Sequence, residues 1–536
     1  LIRASLHFEG RRRRASEDDV SRLPRRATAV ERHPAREHDW SPTETAPRPE
    51  KASFEEFLKQ CDLSLLANRF SETSSSSSSG LGEHSDYRQQ LTFFPVGQGL
   101  FTSGRFQALG PRNGRSLEWV YDCGTTSTDA LLAAALEQFA PRGARRTIDV
   151  VAVSHFDDDH ISGLTRLLGR IRVGKLLLPY LEMKERVAIA LRLRSRPTPA
   201  TIRFLVNPIE YLNSLPEAEI GEIIFVQPSR GSDGPDAPQA RPSGPQSPDS
   251  EEQLVVQGGE EPGEGSPLLE EVIAARNASG RPSHTRVTLL RPGGRILFGA
   301  VFEFVPYNDA RVSCHVNPAF WNAVERHRRA LLDATTDGDR RRRLDWLKAR
   351  YNKAFGKASR QRNIISLFLY ASPILKDTNA RAGTLYSGDG FLDTSERVLA
   401  LTNYVGARRA SQVARFQVMH HGSRKNCCRA VTKRLRPDFS VFSSDPDHEK
   451  LRHPHEEVKK QFRKFGGRQV DRFQGFRCDL RICPEAGSVE LQEVEGKPLQ
   501  TYRKRCQKHC QGPRQSPEGP LGSVGRETVC PRPNRY

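Results

Sequence analysis

A segment of sequence His-Phe-Asp-Asp-Asp-His, beginning at His155, places five ionisable side chains directly after the apolar run 150–153. Short β-branched and small apolar residues are typical of a strand buried on both faces, which presents polar groups at its C-terminal end. His155 and Asp157 share one side of an extended segment, and Asp159 and His160 follow as the chain turns into a helix. Three carboxylates this close would raise one another's pKa unless a cation lay among them. The pattern therefore predicts a metal site, with a hydrated acidic turn as the alternative.

Four further segments place glycine or polar residues where apolar strands end. In chain order they are Val96-Gly97-Gln98-Gly99, Tyr121-Asp122-Cys123-Gly124, Ser387-Gly388-Asp389, and His420-His421-Gly422-Ser423 followed by His453-Pro454-His455. The segment at His155 resembles the His-x-His-x-Asp-His signature of metallo-β-lactamase-fold hydrolases, in the variant with Asp at the third position. All five segments, in this order, resemble the C-terminal domain of ComEC-type DNA-uptake proteins and their stand-alone relatives, over roughly residues 90 to 485.

The resemblance implies a centre of two divalent metal ions that share a bridging hydroxide, an arrangement suited to phosphodiester hydrolysis. The implied ligands are His155 and Asp157 for the first ion, Asp159 and His160 for the second, and Asp389 as a bridge between them. His421 would complete the ligands of the second ion. His420 stands beside His421, and which of the two imidazoles binds metal stays open.

The two metal ions are predicted to be zinc or manganese. Hard oxygen donors replace nitrogen at two places, so manganese or magnesium competes with zinc more than in a histidine-rich site. Asp157 stands where the signature has His, and Asn363 stands where many family members have a further His on the first ion. Asn363 is therefore expected to weaken the first site and to contact the substrate.

The residues predicted to take part in catalysis are Asp159, His420 and His453. His453 could act as a general acid, since histidine titrates close to working pH; alternatively it only precedes a helix that begins near Pro454. The predicted substrate-binding residues are Asn363, Ser423, His455, Arg340, Arg341, Arg342 and Arg343. The four arginines would track phosphates, or else form a solvated helix face.

The chain is basic, with 83 Lys and Arg against 64 Asp and Glu and a formal net charge of +19 over 536 residues. Such a surplus favours polyanionic partners such as nucleic acid, although part of it lies in the termini, for example at 11–14. We therefore expect a metal-dependent hydrolase, foremost a phosphodiesterase or nuclease. The alternatives are a small-molecule esterase, lactonase or phosphorylcholine-type phosphodiesterase, or a non-catalytic nucleic-acid-binding module. No protein partner is predicted.

Ten cysteines fit no disulfide framework in a chain of this length, which favours a reduced, cytoplasmic setting. No window of eighteen apolar residues is present, so no membrane span is expected. The N-terminus lacks the apolar stretch of a secretory signal, but because the chain begins at Leu1, export stays open.

Strands that alternate with helices predict an α/β fold. The resemblance implies an αββα sandwich, with two mixed sheets flanked by helices. The predicted organisation is a disordered basic, Ser-rich tail at 1–88, a hydrolase domain at 89–485 with a disordered insertion at 228–267 and a helical insertion at 318–355, and a basic, Pro-rich tail at 486–536.

Overall fold

A computed structural model describes the chain from residue 86 onward, with gaps. The described residues are 86–109, 116–143, 145–192, 199–236, 253–279, 285–309, 318–355, 366–375, 380–448, 452–483 and 488–492. The predictions for Asn363 and for all but the last three residues of the N-terminal tail lie outside them. Within the described residues, no helix is long and apolar enough to cross a membrane.

The first part of the chain builds a sheet in which a hairpin leads into parallel strands. Its strands are β1 (Asp86–Phe93), β2 (Gly99–Leu109), β3 (Leu117–Thr125), β4 (Arg146–Ala152), β5 (Ile171–Pro179) and β6 (Glu219–Val226). Strands β1 to β3 pair antiparallel, whereas β3 to β6 pair parallel. The helices between and after them are α1 (Asp129–Phe139), α2 (Asp158–Ile161), α3 (Leu164–Leu168), α4 (Met183–Arg192), α5 (Pro199–Val206), α6 (Pro208–Asn213) and α7 (Pro267–Ser279).

The later part of the chain supplies the remaining strands and helices. The strands are β7 (Pro228–Ser229), β8 (Leu254–Glu260), β9 (Arg286–Phe298), β10 (Phe302–Asp309), β11 (Leu367–Pro373), β12 (Gly383–Tyr386), β13 (Val413–Gln417), β14 (Phe439–Ser443), β15 (Gly467–Val470), β16 (Phe476–Cys483) and β17 (Ser488–Gln492). The helices are α8 (Pro318–Leu332), α9 (Asp337–Phe355), α10 (Ser395–Val405), α11 (Ala407–Ser411), α12 (Ala430–Leu435) and α13 (Glu456–Phe462), with a 3-10 turn at Met419–Gly422.

The long strand β9 joins the two sheets that the sequence predicts. Its residues 286–290 pair parallel with β6, and its residues 296–298 pair antiparallel with β10. The 17 described strands therefore form one continuous hydrogen-bonded ladder. We call β1–β6 with β16 and β17 the first half of this ladder, and β10–β15 the second half.

The two halves face each other across an apolar core, and helices cover their outer faces. The inner core contains Trp119 and Tyr121 from β3 and Tyr386 from β12, all fully buried. Their polar atoms are satisfied: Trp119 Nε1 donates to Tyr386 Oη at 3.1 Å, and Tyr121 Oη donates to the Leu367 carbonyl at 2.7 Å. Two further cores lie under the helices on either side. The layers are those of an αββα sandwich.

The predicted boundaries of the disordered insertion and of the C-terminal tail are wrong. Residues 254–260 form β8, which pairs antiparallel with β9, and β7 at the start of the predicted insertion pairs with β10. In the predicted tail, Ser488–Gln492 form β17 on the edge of β16. The short apolar run Leu254-Val255-Val256 is stabilised by a distant strand, a contact that local composition does not reveal. Residues 237–252 lie outside the described part of the chain.

The two helices predicted at 318–355 are present as α8 and α9, and the break between them lies at 333–336 rather than at Asp337-Gly338. They form a small apolar core of their own with α4 and α5. Arg186 of α4 is fully buried and pairs with Glu271 of α7 at 2.6 Å, so a buried ion pair links this helical unit to the layer beside the first half of the ladder.

Candidate metal centre

Two glycines let the turn that follows β4 lie directly on the sheet. A Cβ built on Gly124 of β3 would come within 2.5 Å of the His160 backbone, and one on Gly99 of β2 would lie 3.0 Å from the Asp159 carbonyl oxygen. Only glycine permits so close an approach of two backbones. The two strands thereby fix the height of α2, which carries Asp159 and His160, above the sheet.

Asp389 reaches the same place from the second half of the ladder, in a turn after β12. Gly388 in this turn adopts a left-handed φ of 50°. Gln417 of β13 accepts hydrogen bonds from the N–H groups of Ser387 at 2.8 Å and Gly388 at 2.7 Å, and the Asp389 N–H donates to Ser366 Oγ at 3.1 Å. The turn is held from both neighbouring strands, so the Asp389 carboxylate has a fixed position.

His420 and His421 both adopt left-handed backbone conformations, with φ of 46° and 57°. Such a conformation costs a non-glycine residue about 1–2 kcal/mol, so other contacts must impose it. The His420 N–H donates to the Gly388 carbonyl at 2.9 Å, and His421 Nδ1 lies 2.5 Å from the Ser443 carbonyl oxygen. These contacts tie the histidine turn to the Asp389 turn and to the end of β14.

The predicted ligands converge into two overlapping sets of donor atoms. Within each set, the candidate ligand atoms lie within 4.8 Å of one another. One set comprises Asp159, His160, Asp389 and His421; the other comprises His155, Asp157 and Asp159. The structure thus brings together all six residues that the resemblance implies as metal ligands.

The Asp389 carboxylate lies between the two sets, with one oxygen toward each. Its Oδ1 lies 3.2 Å from His160 Nε2 and 3.7 Å from His421 Nε2. Its Oδ2 lies 3.7 Å from His155 Nε2 and 3.3 Å from His420 Nδ1. This is the placement expected of a bridging carboxylate.

Four atoms in this cluster are buried and have no hydrogen-bond partner: Nε2 of His155, Nε2 of His160, Oδ1 of Asp389 and Nδ1 of His420. Unpaired buried polar atoms each cost roughly 1–3 kcal/mol. Imidazole nitrogens and carboxylate oxygens are the ligand atoms that divalent transition metals bind in proteins. The residues therefore fit a divalent metal centre.

Asp122 and Ser154 orient the imidazoles, a role the sequence did not reveal. Asp122 Oδ2 lies 2.7 Å from His160 Nδ1, which leaves Nε2 of that ring for the site. Asp122 also accepts hydrogen bonds from the Ser154 N–H at 2.7 Å and from Ser154 Oγ at 2.6 Å, and Ser154 Oγ lies 2.9 Å from His155 Nδ1. Metal-bound histidines commonly have such a carboxylate behind them. The available signal was Asp122 directly after the apolar part of β3, two residues before Gly124.

The cluster favours the charge states that metal ligands need at Asp389 and His155, but not at His160. Burial alone would raise the pKa of Asp389, but the imidazoles of His420, His160 and His421 hold that pKa well below its ordinary value. Burial lowers the pKa of His155 to about 3, and the nearby His160 adds to the decrease. Carboxylates near His160, foremost Asp389, outweigh its burial and raise its pKa well above the ordinary value. A metal ion held by His160 would therefore have to displace a proton from that ring.

The predicted residues His453, Ser423 and His455 lie next to the histidine turn. The His453 ring is 5.7 Å from that of His420 and 6.4 Å from that of His421. Burial, and after it the nearby imidazoles of His421, His420 and His455, lowers the pKa of His453 to about 3, which favours a neutral imidazole at physiological pH. Ser423 is buried, and its N–H donates to the His420 carbonyl at 2.9 Å. The His455 N–H donates to the Gly422 carbonyl at 3.1 Å.

A groove of about 680 Å³ opens beside His453. Its basic lining residues include Arg424, Arg452 and Lys459, and its acidic ones are Asp447, Glu456 and Glu457. Arg424 lies 3.4 Å from Glu457 and Lys459 lies 2.6 Å from Glu456, so part of the positive charge is neutralised.

For Arg340, the first residue of the arginine run 340–343, the prediction of phosphate binding is wrong. Its side chain is buried, and Nη2 lies 2.9 Å from Glu210 of α6. Arg342 is exposed and pairs with Asp339 of its own helix, and the other two arginines of the run are half-buried. A charge run in a sequence does not show which of its members have acidic partners in the fold.

Residues 118–234 match the family model of the Metallo-beta-lactamase superfamily. This segment runs from β3 through the turn after β4 to the loop after β7. The fold is that of the metallo-β-lactamases. The matched segment holds His155, Asp157, Asp159 and His160, whereas Asp389 and His421 come from the second half of the ladder, beyond the match.

Comparison with solved structures found a crystal structure of a long form RNase Z from yeast, at 8% sequence identity and a TM-score of 0.24. The match covers 74% of this chain and 43% of that one, so this chain spans less than half of its length. A TM-score this low carries no argument about fold or activity. A search of curated proteins found no match.

Proposed function

We propose that this chain is a metal-dependent phosphodiesterase with nucleic acid as its substrate class, and that it works with two divalent ions. The observation that carries the proposal is the Asp389 carboxylate, whose two oxygens face different imidazoles in a buried cluster. A carboxylate placed in this way can serve two ions at once. The second ion is what distinguishes a centre for phosphodiester chemistry from a single structural site.

The donor set supports zinc or manganese. His155 and Asp157 would hold one ion and His160 and His421 the other, with Asp159 close to both and Asp389 between them. Paired ions in such a site would polarise the phosphoryl group and activate a nucleophilic water at neutral pH. Carboxylate oxygens make up a large share of the donors, which favours manganese more than an all-histidine site would.

The chain's own residues orient the imidazoles of the site. Asp122 and the Ser443 carbonyl occupy the Nδ1 atoms of His160 and His421, so both rings keep Nε2 directed at the site. Because these partners lie in strands or directly at their ends, the imidazoles have little freedom to turn away, and orientation is fixed before substrate arrives. His453 is neutral and lies at the wall of the groove, where its N–H can hydrogen-bond to a substrate oxygen.

The substrate class is supported by charge and by sequence. The net charge of +19 raises the local concentration of polyanions. The groove beside the histidine turn has as many acidic as basic lining residues, so the support from charge comes from the chain as a whole. The five ordered segments also support the narrower likeness to ComEC-type proteins, which act on DNA.

A substrate screen tests the proposal. Purified full-length protein, loaded with manganese or zinc, is assayed with bis-para-nitrophenyl phosphate, single-stranded DNA, double-stranded DNA and RNA. We expect diester cleavage that is lost in Asp159→Ala and in His160→Ala, while nucleic-acid affinity stays within about twofold of wild type, because metal activation acts in the transition state and ground-state binding rests on basic residues.

Asp129→Asn is the matched control, because Asp129 is an exposed carboxylate on α1, paired with Arg166. It should cleave at the wild-type rate. If the wild-type protein cleaves no diester with either metal, the phosphodiesterase proposal fails. Parallel assays with a lactone and a para-nitrophenyl ester then separate an esterase or lactonase from a nucleic-acid-binding module.

A further inference from the structure

We infer that one face of the helix pair α8 and α9 binds single-stranded nucleic acid, with a base stacked on Trp346 and phosphates paired with the arginines around that ring. The inference rests on the nucleic-acid substrate class proposed above, but not on the metal centre. We call the residues of this surface the Trp346 face: Trp346, His327, Arg326, Arg343 and Arg350.

An exposed tryptophan lies where the two helices meet. Trp346 of α9 is 36% exposed, and its ring centroid is 4.2 Å from that of His327 on α8. The guanidinium carbon of Arg350, one helical turn further along α9, lies 3.0 Å from the centroid of the Trp346 ring. Proteins that hold single strands combine such aromatic rings, on which bases stack, with arginines beside them. The pair of Trp346 and Arg350 has this composition.

The arginines of the Trp346 face differ from their neighbours in having no acidic partner. Elsewhere on these two helices, carboxylates pair with Arg328, Arg329, Arg340 and Arg342. Among the residues that the structure describes, no carboxylate pairs with Arg326, Arg343 or Arg350, and Nε of Arg343 is buried without a hydrogen-bond partner. Ion pairing thus neutralises much of the arginine charge of α8 and α9 and leaves three positive charges on one face.

The surroundings of His327 show that these charges lie close together. Its pKa is lowered first by burial and then by the guanidiniums of Arg343, Arg350 and Arg326. Cations gathered in this way repel one another in the free protein. A polyanion would relieve the repulsion by supplying the missing counter-charges, and the phosphates of a nucleic acid strand do so at regular intervals.

The insertion that carries α8 and α9 leaves and rejoins the sheet beside the candidate metal ligands. Asn308 near the end of β10 pairs in register with Leu367 at the start of β11. The Leu367 N–H donates to the carbonyl of Ser154, the residue before His155, at 2.7 Å. Helix α4, which packs with α8 and α9, follows β5, and β5 pairs parallel with β4. The Trp346 face therefore belongs to a unit rooted at the edge of the sheet that carries the candidate metal centre.

Stacking is tested by the binding of a labelled oligothymidylate of about 20 nucleotides to the full chain, measured by fluorescence anisotropy in the presence of a chelator. We expect Trp346→Ala to weaken binding by about fivefold or more, the effect of losing one stacked base, without changing the salt dependence. The oligonucleotide should quench tryptophan fluorescence in the wild type. Trp346→Phe should keep most of the affinity and lose most of the quenching.

The matched control for the aromatic ring is Phe473→Ala. Phe473 is 45% exposed and lies beside Arg472, as Trp346 lies beside Arg350, but Arg472 is paired with Asp445. An exposed ring next to a neutralised arginine should not attract a polyanion. Phe473→Ala is therefore expected to bind the oligonucleotide as the wild type does.

Phosphate contacts are tested by the slope of the logarithm of the binding constant against the logarithm of the salt concentration. Arg343→Gln and Arg350→Gln should each reduce this slope by about 0.7, the contribution of one phosphate contact on a single strand. Arg329→Gln is the control, because Arg329 is exposed on α8 and paired with Asp333. Its slope should equal that of the wild type.

Wild-type affinity in Trp346→Ala, or unchanged salt slopes in both arginine variants, would overturn the inference. So would a wild type whose tryptophan fluorescence responds to vesicles of phosphatidylcholine and phosphatidylserine but not to the oligonucleotide, since the face would then bind an anionic membrane. Unfolding midpoints by circular dichroism separate a lost contact from a lost fold.

The inference and the proposed function can fail separately. A protein that binds the oligonucleotide through the Trp346 face but cleaves no diester would contradict the proposed function alone. A protein that cleaves diesters while Trp346→Ala keeps the wild-type affinity would contradict the binding surface alone.

Discussion

Asp122 determines the geometry of the site although it is not itself a candidate ligand. Its carboxylate lies 2.7 Å from His160 Nδ1 and accepts two hydrogen bonds from Ser154, which in turn contacts His155. One buried carboxylate thus orients an imidazole of each donor set. Its backbone is left-handed, with φ of 57°, a conformation that asparagine also tolerates.

We expect Asp122→Asn to lower metal affinity by about 10–100-fold, the effect usual for a residue that orients a ligand. The substitution keeps shape and backbone but removes the negative charge behind His160. Affinity is measured by competition with a chromophoric chelator. Asp479→Asn, which removes a buried carboxylate paired with Arg88 on the edge of the sheet, is the control and should leave affinity unchanged. Equal affinities in the two variants would show that Asp122 only supports the fold.

Asp389→Asn should reduce metal content more than the loss of any single histidine, because the carboxylate faces both donor sets. We expect fewer than one ion per chain, against close to two in wild type, as measured by plasma emission spectroscopy. Asp445→Asn is the matched control, since Asp445 is a buried carboxylate that pairs with Arg472 instead. Two ions retained in Asp389→Asn would rule out the bridging role.

The residues that could be predicted are those whose types alone specify chemistry. The spacing of the residues from His155 to His160, and the place of these residues and Asp389 after apolar strands, predict metal binding. Asp122 and Ser154 could not be assigned in the same way, because an aspartate or serine at a strand end has many uses and its partner is chosen by the fold. The orientation of His420 relative to His421 depends on two backbone angles that the local sequence does not specify.

At the scale of elements, the turn that follows β4 and carries Asp159 and His160 depends on the strands beneath it. Gly124→Ala would push a methyl group to within 2.5 Å of the His160 backbone. We expect this overpacking to cost about 1–3 kcal/mol of stability and to lower metal content, because α2 must lift away from β3. Urea unfolding and metal analysis measure the two effects.

Gly263→Ala provides the control, because a Cβ there meets nothing within 4 Å. It should alter neither property. If Gly124→Ala unfolds at the wild-type urea concentration and keeps its metal, the close approach of β3 and α2 is not needed.

Elements with strong local patterns could be predicted and those with distant partners could not. The helices α8 and α9 lie within the predicted helical insertion, and the strands that end at Ala152 and Tyr386 lie close to their predicted positions. Strand β8 could not be predicted, because its three apolar residues sit in a polar, Gly-rich and acidic stretch and acquire their hydrogen bonds from β9. Similarly, the basic character of α9 gave no sign that Arg340 would pair with Glu210 on α6.

At the scale of the whole molecule, the candidate metal ligands come from both halves of the ladder. His155, Asp157, Asp159 and His160 follow β4, while Asp389 and His421 follow β12 and β13. Bound ions would therefore hold the two halves together across the inner core, in addition to the apolar contacts. Their contribution to stability should appear as a dependence of the unfolding midpoint on metal concentration.

Metal at about 100 times its dissociation constant should stabilise the folded chain by about 2.7 kcal/mol. Scanning calorimetry of the protein with manganese or zinc, against the same protein with chelator, is expected to show a raised midpoint. The Asp389→Asn variant should show a much smaller shift. An identical midpoint with and without metal in the wild-type protein would mean that no ion links the halves.

The distance along the chain between the two ligand groups has a consequence during synthesis. Asp159 and His421 touch in the folded protein but are 262 residues apart, so at 5–20 residues per second the ribosome completes the interval in roughly 13–50 s. Throughout this time the nascent first half exposes four candidate metal ligands within six residues, without the residues that later enclose them. We therefore expect the bound ion to depend partly on which metal is abundant around the ribosome, so that protein refolded in a test tube with a chosen metal would carry a different ion from protein purified directly from cells.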